Sequence, residues 1–197
     1  MKRLVIALLL ALPTAVLAGT QEREKLTALA KNRLAALAGE KAPPRLLFRN
    51  PQDGNRWLEE MSRRLEKRMP DRKLRYEFLR TLHFEAKNNG LDPQLVLALV
   101  EVESGFRKYA ISSASARGYM QVMPFWTAEA GRPKDNLFHL RTNLVYGCWI
   151  LGYYLDQEKN DLFRALGRYN GSLGKAEYPN LVMGAWKNRW RYDGPTD

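Results

Sequence analysis

The 197-residue chain has one cysteine, two histidines and, beyond its first dozen residues, no apolar run near membrane-spanning length. Each scarcity excludes something. Cys148 cannot close an internal disulfide, and its neighbours Val145, Trp149 and Leu151 mark it as a buried thiol behaving as a small hydrophobe, with no catalytic role. His83 and His139 stand far apart and outside any ligand spacing, so no metal is expected. No serine sits in a nucleophile-elbow pattern and no glycine-rich loop is built to cradle phosphate. Strand-like alternation, internal repeats and low-complexity tracts are missing as well. What remains is an all-α pattern whose available chemistry is that of carboxylates, with no cofactor called for.

Cations are abundant: 32 Lys and Arg stand against 21 Asp and Glu, a net +11. The chain opens with Lys2 and Arg3, an apolar run from Leu4 to Leu12, and Val16-Leu17-Ala18 before Gly19, the outline of a secretory signal peptide cleaved after Ala18. That run is shorter than the roughly 20 residues a membrane anchor needs, and Pro13 interrupts it. No cysteine at the cleavage point offers a lipid acceptor. Losing Lys2 and Arg3 leaves a charge of about +9, and export redirects that charge from nucleic acid toward anionic lipid and the carboxylates of the envelope.

Leu26, Ala30, Leu34 and Leu37 recur at helical steps between Gln21 and Ala38, up to Ala42-Pro43-Pro44. Arg49 to Asn55 is rich in turn formers, and Trp57, Met61 and Leu65 begin a second amphipathic run that stops before Pro70. The charge run from Arg63 to Arg75 reads as a solvated helix face, with peripheral association to the envelope through these basic helices as the second reading. From Asp71 short helices follow. One spans Arg72 to Asn88 and closes at Asn89-Gly90; the next runs from Pro93 to Ser104, capped by Asp92 and stopped by Gly105. Gly118 to Met123, Asn143 to Gln157 and Asp161 to Arg168 extend the helical theme. The expected organisation is a signal peptide (1–18), a helical prefix of unassigned role (19–70) and one catalytic domain (71–197).

Counting back from Glu103 by three, four and seven residues gives Val100, Leu99 and Val96, so Glu103 ends an apolar stripe. A carboxyl drawn out of water there has a raised pKa and keeps a proton near neutrality, as a general acid must. Glu101 faces nearly the opposite way, where solvent is expected to keep it ionised. Spacing alone leaves open that Glu103 is an ordinary helix-end residue or a partner in a buried ion pair.

Three ordered segments, Glu103-Ser104-Gly105, Gly118-Tyr119-Met120-Gln121-Val122-Met123-Pro124 and Tyr169-Asn170-Gly171, resemble the signature segments of family 1 lytic transglycosylases. The resemblance covers roughly Leu79 to Trp190, and the Asn143 to Gly147 stretch is similar to the family's next helix start. It implies a lysozyme-like α-helical domain, a periplasmic location and peptidoglycan glycan strands as substrate. Glu103 would protonate the oxygen leaving C4 of N-acetylglucosamine while the N-acetylmuramic acid acetamido group assists at C1. As a base it would then take the proton of the C6 hydroxyl, closing a 1,6-anhydro ring. Gln121, Asn170 and Ser104 would bond sugar hydroxyls and acetamido groups, Met120 and Tyr169 would offer walls, and Tyr178 resembles a late tyrosine of the site. Phe125, Trp126, Trp149 and Trp186 are kept as core.

The chain departs from the family pattern at Tyr119, placed on a helix, at Arg168, which would meet a muropeptide carboxylate or solvent, and at Pro179, which follows Tyr178. Two alternatives stand beside this reading. A goose-type hydrolase would need a second carboxylate to activate water, with Asp135, Glu129 and Glu177 available; a non-catalytic wall-binding factor would keep the cleft for binding alone.

Overall fold

A computed structural model describes residues 26–39 and 44–195; the signal segment lies outside them. The described residues form eight α-helices and no strand: α1 Ala28–Gly39, α2 Pro51–Leu65, α3 Arg72–Asn88, α4 Pro93–Ser104, α5 Phe125–Glu129, α6 Leu140–Gln157, α7 Leu162–Asn170 and α8 Glu177–Ala185, which runs on into a π-helical turn, Trp186–Trp190. The fold is all-α, as the sequence pattern requires.

Local chemistry sets most of the boundaries. The Asp71 and Asp92 carboxylates accept the amides of Leu74 and Gln94, satisfying N–H groups that the first turns of α3 and α4 leave free. Gly105 ends α4 in the left-handed region at φ 57°, a conformation glycine adopts without a Cβ clash. Pro179 sits in the first turn of α8, where its missing N–H has no intrahelical partner to lose, so this departure from the family pattern leaves the helix intact. The start of α2 departs from expectation. Asn50 caps it by accepting the Gln52 amide and Pro51 takes the first position, so the turn-forming stretch lies largely within the helix. Gly54, inside that helix, makes room for Phe48 and Leu46 to fold back over it.

α4 is the axis of the molecule. Every residue from Pro93 to Val100 is buried, and the helix packs against α3, α8 and the π-helical turn. Truncating a side chain such as Leu99 to alanine would cost about 2–5 kcal/mol. The residues before Asp71 join the same core: Leu34 of α1 and Trp57, Met61 and Leu65 of α2 bury with the helices that follow, α1 against α6 and α2 against α3.

The charge run from Arg63 to Arg75 is less solvated than its composition suggests. Arg64 donates to the Arg189 and Arg191 carbonyls (3.0 and 2.8 Å), and Arg68 meets Glu101 at 2.6 Å. Arg75 is buried, bonded to Ser62 Oγ (3.0 Å) and to the carbonyls of Met69 and Pro70 (2.6 and 2.7 Å).

Candidate active site

Gly118 to Met123 is not helical. It is an irregular turn in which Arg117 bridges both Ile111 and Val122, and Gln121 takes a positive φ of 48°. Long-range packing overrides local propensity here. A Cβ on Gly118 (φ 77°) would lie 2.5 Å from Asn143 Nδ2 and 2.6 Å from the Leu137 carbonyl oxygen, so only glycine lets the chain pass. Pro124 then disfavours helical geometry at Met123.

Three helices hold this turn. From α4, Ser104 Oγ donates to the Tyr119 carbonyl at 2.7 Å. From α6, Asn143 Oδ1 accepts the Met120 amide at 2.8 Å, while its Nδ2 donates to the carbonyls of Arg117 and Leu137 at 2.8 and 2.9 Å. From α7, Tyr169 donates its hydroxyl to the Met120 carbonyl at 2.7 Å. The Met120 side chain is fully buried and packs where a Cβ on Gly147 of α6 would stand, 2.3 Å from its sulfur. Tyr119 is buried against Phe78, with ring centroids 4.9 Å apart. Gln121 Nε2 is committed to the carbonyls of Ala110 (3.1 Å) and Gly118 (2.9 Å), which leaves its Oε1 as the acceptor.

Glu103 is buried, and its stripe partners Val96, Leu99 and Val100 are fully so. Burial pushes its carboxyl from the ordinary 4.5 to about 8, against the Tyr178 hydroxyl, whose hydrogen bond favours the charged form. That hydroxyl donates to Glu103 Oε1, and the tyrosine's own pKa is driven well up, by burial first. At pH 7 Glu103 therefore carries a proton. With Tyr178 donating to one carboxyl oxygen, the acidic hydrogen falls to the other.

Glu101 is held by cations and not by solvent, a correction to the expectation. Its carboxylate accepts from Arg68 (2.6 Å), Arg189 (3.0 Å) and Trp190 Nε1 (2.6 Å). Proximity in space, invisible in helical spacing, brings these donors from the end of α2 and from the π-helical turn.

Of the acids suggested for activating water, two have other partners and one is exposed. Asp135 accepts from Arg132 (2.8 Å) and Tyr146 (2.9 Å), Glu129 pairs with Lys31 at 2.9 Å, and Glu177 is exposed at the start of α8. Arg168, partly exposed, pairs with Glu158. Asn170 is buried, and its Oδ1 has no hydrogen-bond partner among the described residues. Cys148 is fully buried, with its thiol pKa raised by desolvation. Trp126 and Trp149 are core, and Phe125 and Trp186 pack partly buried against it. His83 accepts the Leu47 amide (3.3 Å) and stacks on Phe48, while His139 lies exposed. Among the described residues no cluster of metal-ligating side chains forms.

A glutamic acid kept protonated at the end of a buried helix, beside a turn pinned by three helices, is the setting in which the comparisons become informative. The model of the transglycosylase SLT domain matches residues 81–181, just over half of the chain. The chain belongs to the SLT transglycosylase family. It is 31% identical over 114 residues to the membrane-bound lytic murein transglycosylase C of Haemophilus influenzae strain PittEE, covering 50% of this chain and 32% of that protein. The namesake enzyme of Glaesserella parasuis is 51% identical over 81 residues, 36% of this chain and 22% of the relative. That of Actinobacillus pleuropneumoniae serotype 5b is 46% identical over 48 residues, 24% and 13%. The chain thus spans about a third or less of the length of these relatives.

The SLT match includes Glu103, the Gly118–Pro124 turn, Tyr169, Asn170 and Tyr178, and leaves out α1, α2, the first half of α3 and the π-helical turn. Sequence reasoning missed Asn143 as the hub of the turn. An asparagine within the apolar run of α6 was the available signal, because a fully buried amide must find partners.

Proposed function

We propose that this chain is a lytic transglycosylase that cleaves the MurNAc-β-1,4-GlcNAc bond of peptidoglycan and leaves 1,6-anhydro-MurNAc ends. The observation that carries the reading is the Glu103 carboxyl, buried, shifted to about 8 and bonded by a neutral phenol. A group in that state can donate a proton at neutral pH and, once ionised, take one back.

Glu103 gives its proton to the departing O4 of GlcNAc as the C1–O4 bond breaks. The MurNAc acetamido oxygen covers C1 in place of a second carboxylate. The C6 hydroxyl then attacks C1, the acetamido oxygen leaves, and Glu103 accepts the hydroxyl proton, restoring the acid. No water is consumed. Tyr178 orients the acid and, by donating to the carboxylate, stabilises the interval between the two transfers.

Asn170 Oδ1, a buried acceptor with no partner, is suited to a sugar N–H or O–H, since an unmade bond there costs about 1–3 kcal/mol. Gln121 Oε1 plays a similar part. Ser104 and Tyr169 serve substrate through the turn they fix, because their hydroxyls are engaged with it, and Met120 does so from within that turn, its amide held by Asn143 and its carbonyl by Tyr169. The signal peptide would place the protein in the periplasm, and Lys67 and Lys73, exposed cations of the 63–75 run with no carboxylate partner among the described residues, are those left for peripheral contact with the envelope.

Mass spectrometry of digested sacculi tests the reading. Anhydro-muropeptides are expected; reducing ends about 18 Da heavier, the mass of one water, would mark a hydrolase and overturn it. Cleavage by Glu103→Gln at the parent rate would refute the role of that residue, and binding without any cleavage by the parent would point to a wall-binding factor.

A further inference from the structure

The segment between α4 and α5 carries an apolar patch that the core does not use. Tyr109 is 70% exposed and Ile111 65% exposed. Phe138, from the segment before α6, lies half-buried beside Tyr109 with ring centroids 5.8 Å apart. None of the three joins the hydrophobic core. Single exposed apolar side chains are common on protein surfaces, but a contiguous group held rigidly is a mark of a contact surface.

This group is held rigidly. The Ala110 carbonyl, one residue from Tyr109, accepts both the Gly118 amide (2.9 Å) and Gln121 Nε2 (3.1 Å). Asn143 joins the Arg117 carbonyl, the Leu137 carbonyl next to Phe138 and the Met120 amide. The patch therefore hangs from the same bonds that shape the turn beside Glu103. Each ring also carries a cation: Lys108 Nζ lies 5.2 Å from the Tyr109 centroid, and the Arg117 guanidinium 5.9 Å from that of Phe138. Neither cation forms an ion pair with a carboxylate among the described residues.

We propose that Tyr109, Ile111 and Phe138, flanked by Lys108 and Arg117, form a landing platform for a peptide-bearing glycan strand on its way into the cleft. A ring face suits the apolar C–H face of a pyranose, and the two cations suit the carboxylates of the peptide that the strand carries. A neutral polysaccharide would use the rings alone; the side-by-side arrangement of rings and cations suits a strand that offers both sugar faces and carboxylates. The inference rests on peptidoglycan being the substrate.

The test compares the full chain with Tyr109→Ala and with the double variant Lys108→Gln, Arg117→Gln. Two substrates are used: glycan strands with their peptides, and the same strands stripped by an amidase. Tyr109→Ala is expected to raise KM about fivefold on both substrates with kcat retained, the scale of one aromatic contact. The charge variant is expected to raise KM about fivefold on peptide-bearing strands only. Unchanged KM in Tyr109→Ala, or a fall in kcat alone, would overturn the platform. An equal loss on both substrates in the charge variant would overturn the peptide-carboxylate part. If the parent cleaves neither substrate, the transglycosylase reading fails. The platform is then read separately, by titrating strands into Glu103→Gln with and without Tyr109→Ala: about fivefold weaker binding supports it, and equal binding overturns it.

Discussion

Glu101 and Glu103 stand two residues apart on α4 and are treated in opposite ways. Glu103 is sealed among Val96, Leu99 and Val100 with one neutral donor, Tyr178. Glu101 is met by two guanidiniums and an indole N–H. The same side chain becomes a proton carrier on one face of the helix and an anchor on the other. What decides is the supply of positive charge and not burial alone, because Glu101 too is largely shielded, its side chain only 10% exposed.

The contrast breaks first at Glu103. Glu103→Gln is expected to lower cleavage of purified peptidoglycan at least a thousandfold, with strand binding kept, since it removes the proton and preserves the shape. Activity of the parent should itself fall as pH rises through about 8, where the acid is lost.

The same burial makes stability fall with rising pH as well. Folding raises this pKa from 4.5 to about 8, so the native state holds a proton that the unfolded chain releases within that window. The parent therefore loses stability as pH rises from 4.5 to about 8. Glu103→Gln, free of this cost, should become more stable than the parent by on the order of a few kcal/mol above pH 8, with little difference at pH 4, as urea unfolding at several pH values would show.

A change at Glu101 should do the reverse. Glu101→Gln leaves Arg68 and Arg189 without their anion and is expected to destabilise by about 1–2 kcal/mol, a modest figure because both arginines are substantially exposed. The alkaline limb of activity should stay near that of the parent. Tyr178→Phe gives the smallest and most specific effect. Removing a donor that favours the carboxylate should move that limb upward in pH and lower kcat about tenfold, read from a pH–rate profile.

The sequence was most informative where structure is decided by neighbours. Asp71 with Asn89-Gly90, and Asp92-Pro93 with Gly105, set the ends of α3 and α4 because a cap acts within one turn. Glu103 was legible for the same reason, its apolar stripe being local. The 118–123 turn was not, since Asn143 and Leu137 decide it from outside the segment. Glu101 was misjudged because its donors lie 33 to 89 residues away. Tyr178, 75 residues from Glu103, was named from resemblance; its bond to the acid only the fold displays.

The clasp at the end of α2 bears on where this chain can be cut. Arg64 and Arg68 stitch residues ahead of the SLT match to Glu101 and to the Arg189 and Arg191 backbone, which lies beyond it. A fragment trimmed to the signature would lose both halves of that seam, Trp190 with its bond to Glu101 included. The smallest transplantable unit is thus wider than the stretch by which its kin are recognised, and grafts should carry the flanks.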